Sequence, residues 1–244
     1  MKYSIYSFGA FMLSLSLFTS CSSDDDAGTT VNLEVPSTYT FERNSATTVD
    51  FSGQTVRLQM LQEMGATFST AAANGTSLDA TDLQNMFSNI NNPFASAELN
   101  NSGKNIKSKT AASADYFTFF LGGGSTVEKT AVQTFFENQF STGAAASFGN
   151  TASAGVAGSY LDGTKVRLFA ANGLEPQQIL LKGLMGALMM DQISNQYLSV
   201  TILDQTSNRV ENTNKVLVEN ENFTTMEHFW DEAYGYAYGA DDAV

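Results

Sequence analysis

Within GLEPQQILLKGLMGALMMDQISNQYLSVTIL, Gly173 to Leu203, apolar residues recur at Leu180, Leu184 and Leu188 and again at Leu181, Met185 and Met189. Helical spacing on more than one face predicts a long helix over 174–203 that other helices must wrap, the central rod of a helical domain. Pro176 suits its first turn, where a missing N–H costs nothing. Lys182, Asp191, Gln192 and Gln196 interrupt the apolar surface, so no charge-free run reaches the roughly 18 residues that a membrane-spanning helix needs.

The same periodicity predicts a helix near 53–73, with Ser52 as its cap and Val56, Leu58, Leu61, Met64 and Phe68 on its apolar face. Asn74-Gly75 ends it. A second, shorter helix opens at Ser77 and buries Leu83, Met86, Phe87 and Ile90. A third is capped by Ser125 and turns Val127, Ala131, Val132, Phe135, Phe136 and Phe140 inward. Val31 to Arg43 alternates loosely around Pro36 and reads as an extended or edge segment. Two alternating runs around Asp162-Gly163, within 158–169, predict a β-hairpin. The Gly-, Ala- and Ser-rich stretch from Ser141 to Gly158 reads as a mobile connector, and Asp204 to Asn222 as a polar loop. Thr224 followed by Glu227 is a capping box that opens the last helix. The predicted fold is therefore mainly α: a helical bundle around one long central helix, with a small β-hairpin.

Composition supplies an address. Lys2, the apolar run Ile5 to Phe18 and Leu17-Phe18-Thr19-Ser20-Cys21 form a lipoprotein signal peptide over 1–20. Cys21, the one cysteine of the chain, stands where it would be lipidated and cannot form an internal disulfide. Residues 21–35 then make a tether with the acidic run Asp24-Asp25-Asp26, and 36–244 the helical domain. An acidic run beside the lipidated Cys resembles tethers that export lipoproteins to the outer face of the outer membrane. The expected location is the cell outer membrane, lipid-anchored and surface-exposed, with the membrane as partner through the anchor. Twelve basic against twenty-five acidic residues give a net charge of -13, which excludes nucleic acid as a partner because its phosphates would be repelled.

Candidate chemistry is sparse. His228 is the one histidine, and on a helix Glu227 and Asp231 lie four apart, as do His228 and Glu232. Iron and zinc take mixed His and carboxylate ligands, so His228, Asp231 and Glu232, completed by Asp191 or Gln192 of the central helix, form a candidate metal site. The same residues also fit a structural role, in which Glu227 and Glu232 serve the cap and a hydrogen bond to His228 while Phe229, Trp230 and Tyr234 pack the core. Lys104, Lys107 and Lys109 make the single basic cluster, either a solvated loop or a hold for an anionic group. Gly122-Gly123-Gly124 matches no phosphate-binding fingerprint, and neither GxSxG nor HExxH is present, so the chain does not read as an enzyme.

The stretches FSGQTVRLQML (51–61), SGKNIKSKT (102–110), KGLMGALMMDQISNQYL (182–198) and MEHFWDEAYGY (226–236), with PSTYTFER (36–43), resemble an uncharacterised family of bacterial lipoproteins, domain of unknown function 4856. The resemblance implies a mainly helical exported lipoprotein and supplies no activity. It also implies more helix after WDEAYGY, so a truncated chain is expected, with the stripe Trp230, Tyr234, Tyr238 left as apolar surface. TMEHFWD, 225–231, bears a weaker resemblance to the Gly-x-His-x-x-Glu motif of imelysin-like proteins, exported helical bundles linked to iron acquisition. Together these readings give a binding component in metal or nutrient uptake, serving an outer-membrane transporter. A glycan-binding surface lipoprotein that uses Trp230, and an envelope scaffold without a small ligand, are the alternatives.

Overall fold

A computed structural model describes residues 37–114, 116–117 and 126–240. The signal peptide, Cys21 and the acidic tether lie outside the described residues, as do Gly122 to Ser125 and the last four residues.

The core is laid down by α1 (Ser52–Asn74), whose inward face carries Leu58, Met60, Leu61, Met64, Phe68, Ala71 and Ala72, all buried. Gly75 closes it in the left-handed conformation, φ 64°, with its N–H and that of Thr76 returning to Ala72 and Ala71. Against α1 pack α2 (Ala80–Ser88), the short α3 (Ala97–Asn101) and the second strand of a hairpin formed by β3 (Gly158–Asp162) and β4 (Lys165–Phe169). The hairpin is antiparallel with Asp162 opposite Lys165, and Gly163 supplies the positive φ of 62° that its two-residue turn requires. The cap of α2 is Asp79 rather than Ser77: its carboxylate accepts the Thr81 N–H at 2.7 Å.

A second small hairpin, which the sequence reading missed, joins β1 (Glu42–Arg43) to β2 (Ala46–Thr47) through Asn44 and Ser45, both at positive φ. α4 (Thr126–Ala146) runs on into the expected connector, and Ser147 holds the exit by accepting the Leu78 N–H at 2.8 Å. Its inward face is Val132, Gln133, Phe136, Gln139, Phe140 and Ala144. Val127 at 72% and Phe135 at 51% exposure point outward, against expectation. Gln133 takes the inner place because its amide serves two backbone carbonyls, those of Lys107 and Thr110.

The expected single rod over 174–203 resolves into pieces. α5 (Pro176–Leu184) passes into a π-helical turn at Met185–Met190 and, after Asp191 and Gln192, into another at Ile193–Tyr197. Ser199 then breaks the path and caps α6 (Val200–Leu203). Leu180, Leu184 and Leu188 are fully buried, but Met185, Met190 and Val200 are exposed, so the rod is covered on one side instead of all round. Of the second apolar row only Met185 is exposed; Leu181 and Met189 stay half-buried against the core. α7 (Asn208–Thr213) occupies part of the expected polar loop. α8 (Thr225–Tyr238) opens on the expected capping box: Thr224 Oγ1 accepts the Glu227 N–H and Glu227 accepts the Thr224 N–H.

The described residues are thus mainly helical, with two small antiparallel hairpins among them. Among the described residues no helix is long and apolar enough to cross a membrane. Of the aromatic stripe on α8, Trp230 and Tyr238 are exposed, while Tyr234 is stacked at 3.7 Å on Tyr39 from the start of the domain.

α8 lies on the first turn of α1 through Gly235, where an added Cβ would stand 2.4 Å from Phe51 Cβ and 3.0 Å from Gln54 Cβ. Gly235→Ala should therefore destabilise by about 1–3 kcal/mol through overpacking. The counterpart is Gly186→Ala, which meets nothing within 4 Å and should stabilise by roughly 0.5–1 kcal/mol on backbone entropy. Denaturant unfolding of the two variants checks both signs.

Candidate functional site

Two faces of α8, separated by one residue in sequence, face different environments. Glu227 and Asp231 turn to the amino-terminal hairpin. Arg43 grips Glu227 with two parallel hydrogen bonds, Nη2 to Oε1 at 2.7 Å and Nη1 to Oε2 at 3.1 Å, and also donates to the Asn222 carbonyl. Asn222 returns the contact through its amide to the Arg43, Ala46 and Thr47 carbonyls. Asp231 accepts the Tyr39 hydroxyl at 2.8 Å and the Asp50 N–H at 3.0 Å. Burial pushes the Asp231 carboxyl above the usual carboxylate range, outweighing those two donors. Beside this network runs a groove of about 480 Å³ whose walls include Tyr39, Phe41, Arg43 and Trp230.

His228 and Glu232 turn the other way, into a smaller and far more polar cavity of about 160 Å³ at the start of α1. Asp50, Gly53, Gln54 and Arg57 line it from that side; Lys104 and Lys109 close it. Glu232 accepts the Gln54 amide at 3.0 Å, and His228 Nε2 stands 3.9 Å from its other oxygen. The imidazole stacks on Phe223 with centroids 4.5 Å apart, and its Nδ1 is buried without a hydrogen-bond partner.

Arg57, 6% exposed, donates to the Asn105 and Gly53 carbonyls at 3.1 and 3.0 Å. Lys109 donates to the Tyr197 hydroxyl at 3.2 Å and lies 5.5 Å from that ring's centroid. Burial pulls the Lys109 ammonium below its ordinary range; Arg57, Lys104 and Lys129 add to this and Glu232 opposes it. Asp50 moves down too. Burial alone would raise it, but the Ser52 donors outweigh that, with a further pull from His228 and Lys104.

The lysine segment is held by the π-helical path. Asp191 accepts from Ala112 N, Ser113 N, Ser113 Oγ at 2.6 Å and Asn195 Nδ2, while Gln192 donates to the Lys109 carbonyl and Gln196 accepts the Ala114 N–H. Of the four expected metal ligands the structure therefore keeps only His228 and Glu232 together. Asp231 faces the opposite side of α8, and both Asp231 and Asp191 spend their oxygens on protein donors. Among the described residues no three of His, Cys, Asp and Glu stand where they could hold a metal ion.

The basic cluster divides. Lys104 and Lys109 reach the cavity, and Lys107 pairs with Glu137 at 2.6 Å. Gln54 and Arg57 were missed by sequence reasoning, although one signal was available: a basic residue inside the apolar run Val56-Arg57-Leu58 of a core helix must find partners when buried.

The Arg43–Glu227 pair makes one prediction about pH. Burial alone would raise the Glu227 carboxyl, but Arg43 and the Thr224 N–H hold it below its ordinary value. A depressed carboxylate adds stability above its unfolded value, about 4.3, and loses it as pH falls through the folded value. Arg43→Ala should cost about 1 kcal/mol at neutral pH, and the gap to the parent should shrink by about pH 3, as urea melts at the two pH values would record.

No curated protein and no solved structure matches this chain. A family model does, over residues 36–244, the whole of the helical domain, and its description is Domain of unknown function (DUF4856). The match does not extend to imelysin-like proteins. Four of the stretches that carried the resemblance contribute to this one cavity or to the residues that hold it, and on the strength of the match the chain belongs to the DUF4856 family.

Proposed function

We propose that this chain is an exported, lipid-anchored binding protein of the cell envelope, a component of nutrient uptake rather than an enzyme. One observation carries the binding role. Residues from α1, from the lysine segment and from α8 converge on a polar cavity whose cations Arg57, Lys104 and Lys109 form no salt bridge among the described residues. Arg57 is buried and Lys109 half-buried with only neutral hydrogen-bond partners, an arrangement that is costly for a fold and useful for a ligand. The anchor rests on Cys21 and the signal peptide before it, and the outward address on Asp24 to Asp26. Iron or zinc as cargo would meet His228 and Glu232 here, but also three cations that repel it.

The glycan reading has an observation of its own: Trp230, 51% exposed, stands in the groove with Tyr39 and Phe41, a wall on which a sugar ring could stack.

In cells, Cys21→Ser should leave the protein unanchored, recovered in the soluble fraction or uncleaved, while replacing Asp24 to Asp26 by Ala should keep it anchored and shield it from protease added to whole cells. If protease digests parent and triple variant alike, the acidic run carries no address. Thermal shift with oligosaccharides separates the glycan reading: stabilisation that disappears in Trp230→Ala would favour the groove over the cavity.

A further inference from the structure

The cavity also indicates what it would hold. We propose that it binds a small oxyanion, a carboxylate or a phosphate, between Arg57, Lys104 and Lys109 at the amino end of α1; this rests on the reading of the cavity as the ligand site.

Three features argue for it. The first is local charge: three cations line the cavity against Asp50 and Glu232, in a chain whose net charge is -13. Both carboxylates are already served, Asp50 by the Ser52 N–H at 3.0 Å and Glu232 by the Gln54 amide. The cations are not served in kind: Arg57 is spent on neutral carbonyls and Lys109 on a phenol, weaker partners than an anion would be.

The second is the backbone. Ser52 and Gly53 bring the first turn of a 23-residue helix to the cavity, and that end of a helix favours negative charge. Gly53 matters because a Cβ there would stand 3.3 Å from Lys104 Cε and 3.6 Å from its Nζ; without one, the lysine can lie against the turn.

The third is size. A volume of about 160 Å³ gives room for inorganic phosphate or a short carboxylate. Guanidinium and ammonium donors also match oxyanion geometry, whereas a neutral sugar could accept their hydrogen bonds without offsetting their charge.

The test is calorimetric titration of the full-length protein in detergent with sodium phosphate and, separately, sodium succinate, ionic strength being held constant with chloride. Saturable binding of either supports the inference and tells the phosphate source from the carboxylate one. Lys109→Met and Lys104→Met should each weaken it by about tenfold or more, whereas Lys107→Met, whose ammonium pairs with Glu137 instead, should bind as the parent does. Lys104 is exposed, so its variant keeps the test open should Lys109→Met fail to fold. Absence of saturable binding, equal binding by Lys104→Met, or stabilisation by zinc chloride in place of either oxyanion overturns it. Fractionation of Cys21→Ser reads the envelope location separately, so loss of oxyanion binding with location intact overturns this inference alone.

Discussion

The contact on which the rest of the domain depends is the one between the last helix and the first turn of α1. Gly235 has no side chain, so α8 can lie directly on Phe51 and Gln54. Everything on either face of α8 inherits its position from that approach. On one side Asp231 reaches the Asp50 N–H and the Tyr39 hydroxyl, and Tyr234 stacks on Tyr39. On the other, Glu232 reaches the Gln54 amide across the cavity mouth. A helix displaced outward by even one methyl group would loosen both sets at once, since hydrogen bonds weaken steeply with distance and angle.

A second constraint fixes the opposite wall. The segment that carries the lysines has little regular structure, and a short polar stretch of that kind would ordinarily follow the solvent. It is instead tied down from two directions: the Gln133 amide of α4 holds the Lys107 and Thr110 carbonyls, while Asp191, Gln192 and Gln196 hold the stretch from Lys109 to Ala114. The π-helical path presents Leu188 to the core and Asp191, Gln192 and Gln196 to the same neighbouring segment. The polar residues that interrupt the apolar pattern of that path are thus the ones that organise the site.

What the sequence made legible is local. The extent of α1, the capping box of α8 and the hairpin around Asp162-Gly163 each rest on residues within a turn of one another, and each is found in the structure. So does the pairing of His228 with Glu232, four apart on one helix. What stayed hidden depends on distant partners. Asp231 resembles a ligand until Tyr39, 192 positions away, is seen donating to it. Gln133 resembles a surface residue until the carbonyls it serves are in view, and the inner face of α4 is misjudged in consequence. The π turns leave no mark in apolar spacing, since Leu180, Leu184 and Leu188 keep the four-residue step of an α-helix across the first of them.

The sign of the cavity has a kinetic consequence. Fields add over distance, so an anion approaching from solution first meets the net charge of the whole chain, -13, and only within about a Debye length, roughly 10 Å at moderate salt, the local cations of the cavity. The outer field repels and the inner one attracts. Added salt screens the first more than the second, so capture of an anion here would quicken with ionic strength over the range in which the bound state is only mildly weakened. An acidic surface around a basic cavity thus acts as a gate: it slows encounter in dilute solution and opens as salt is added.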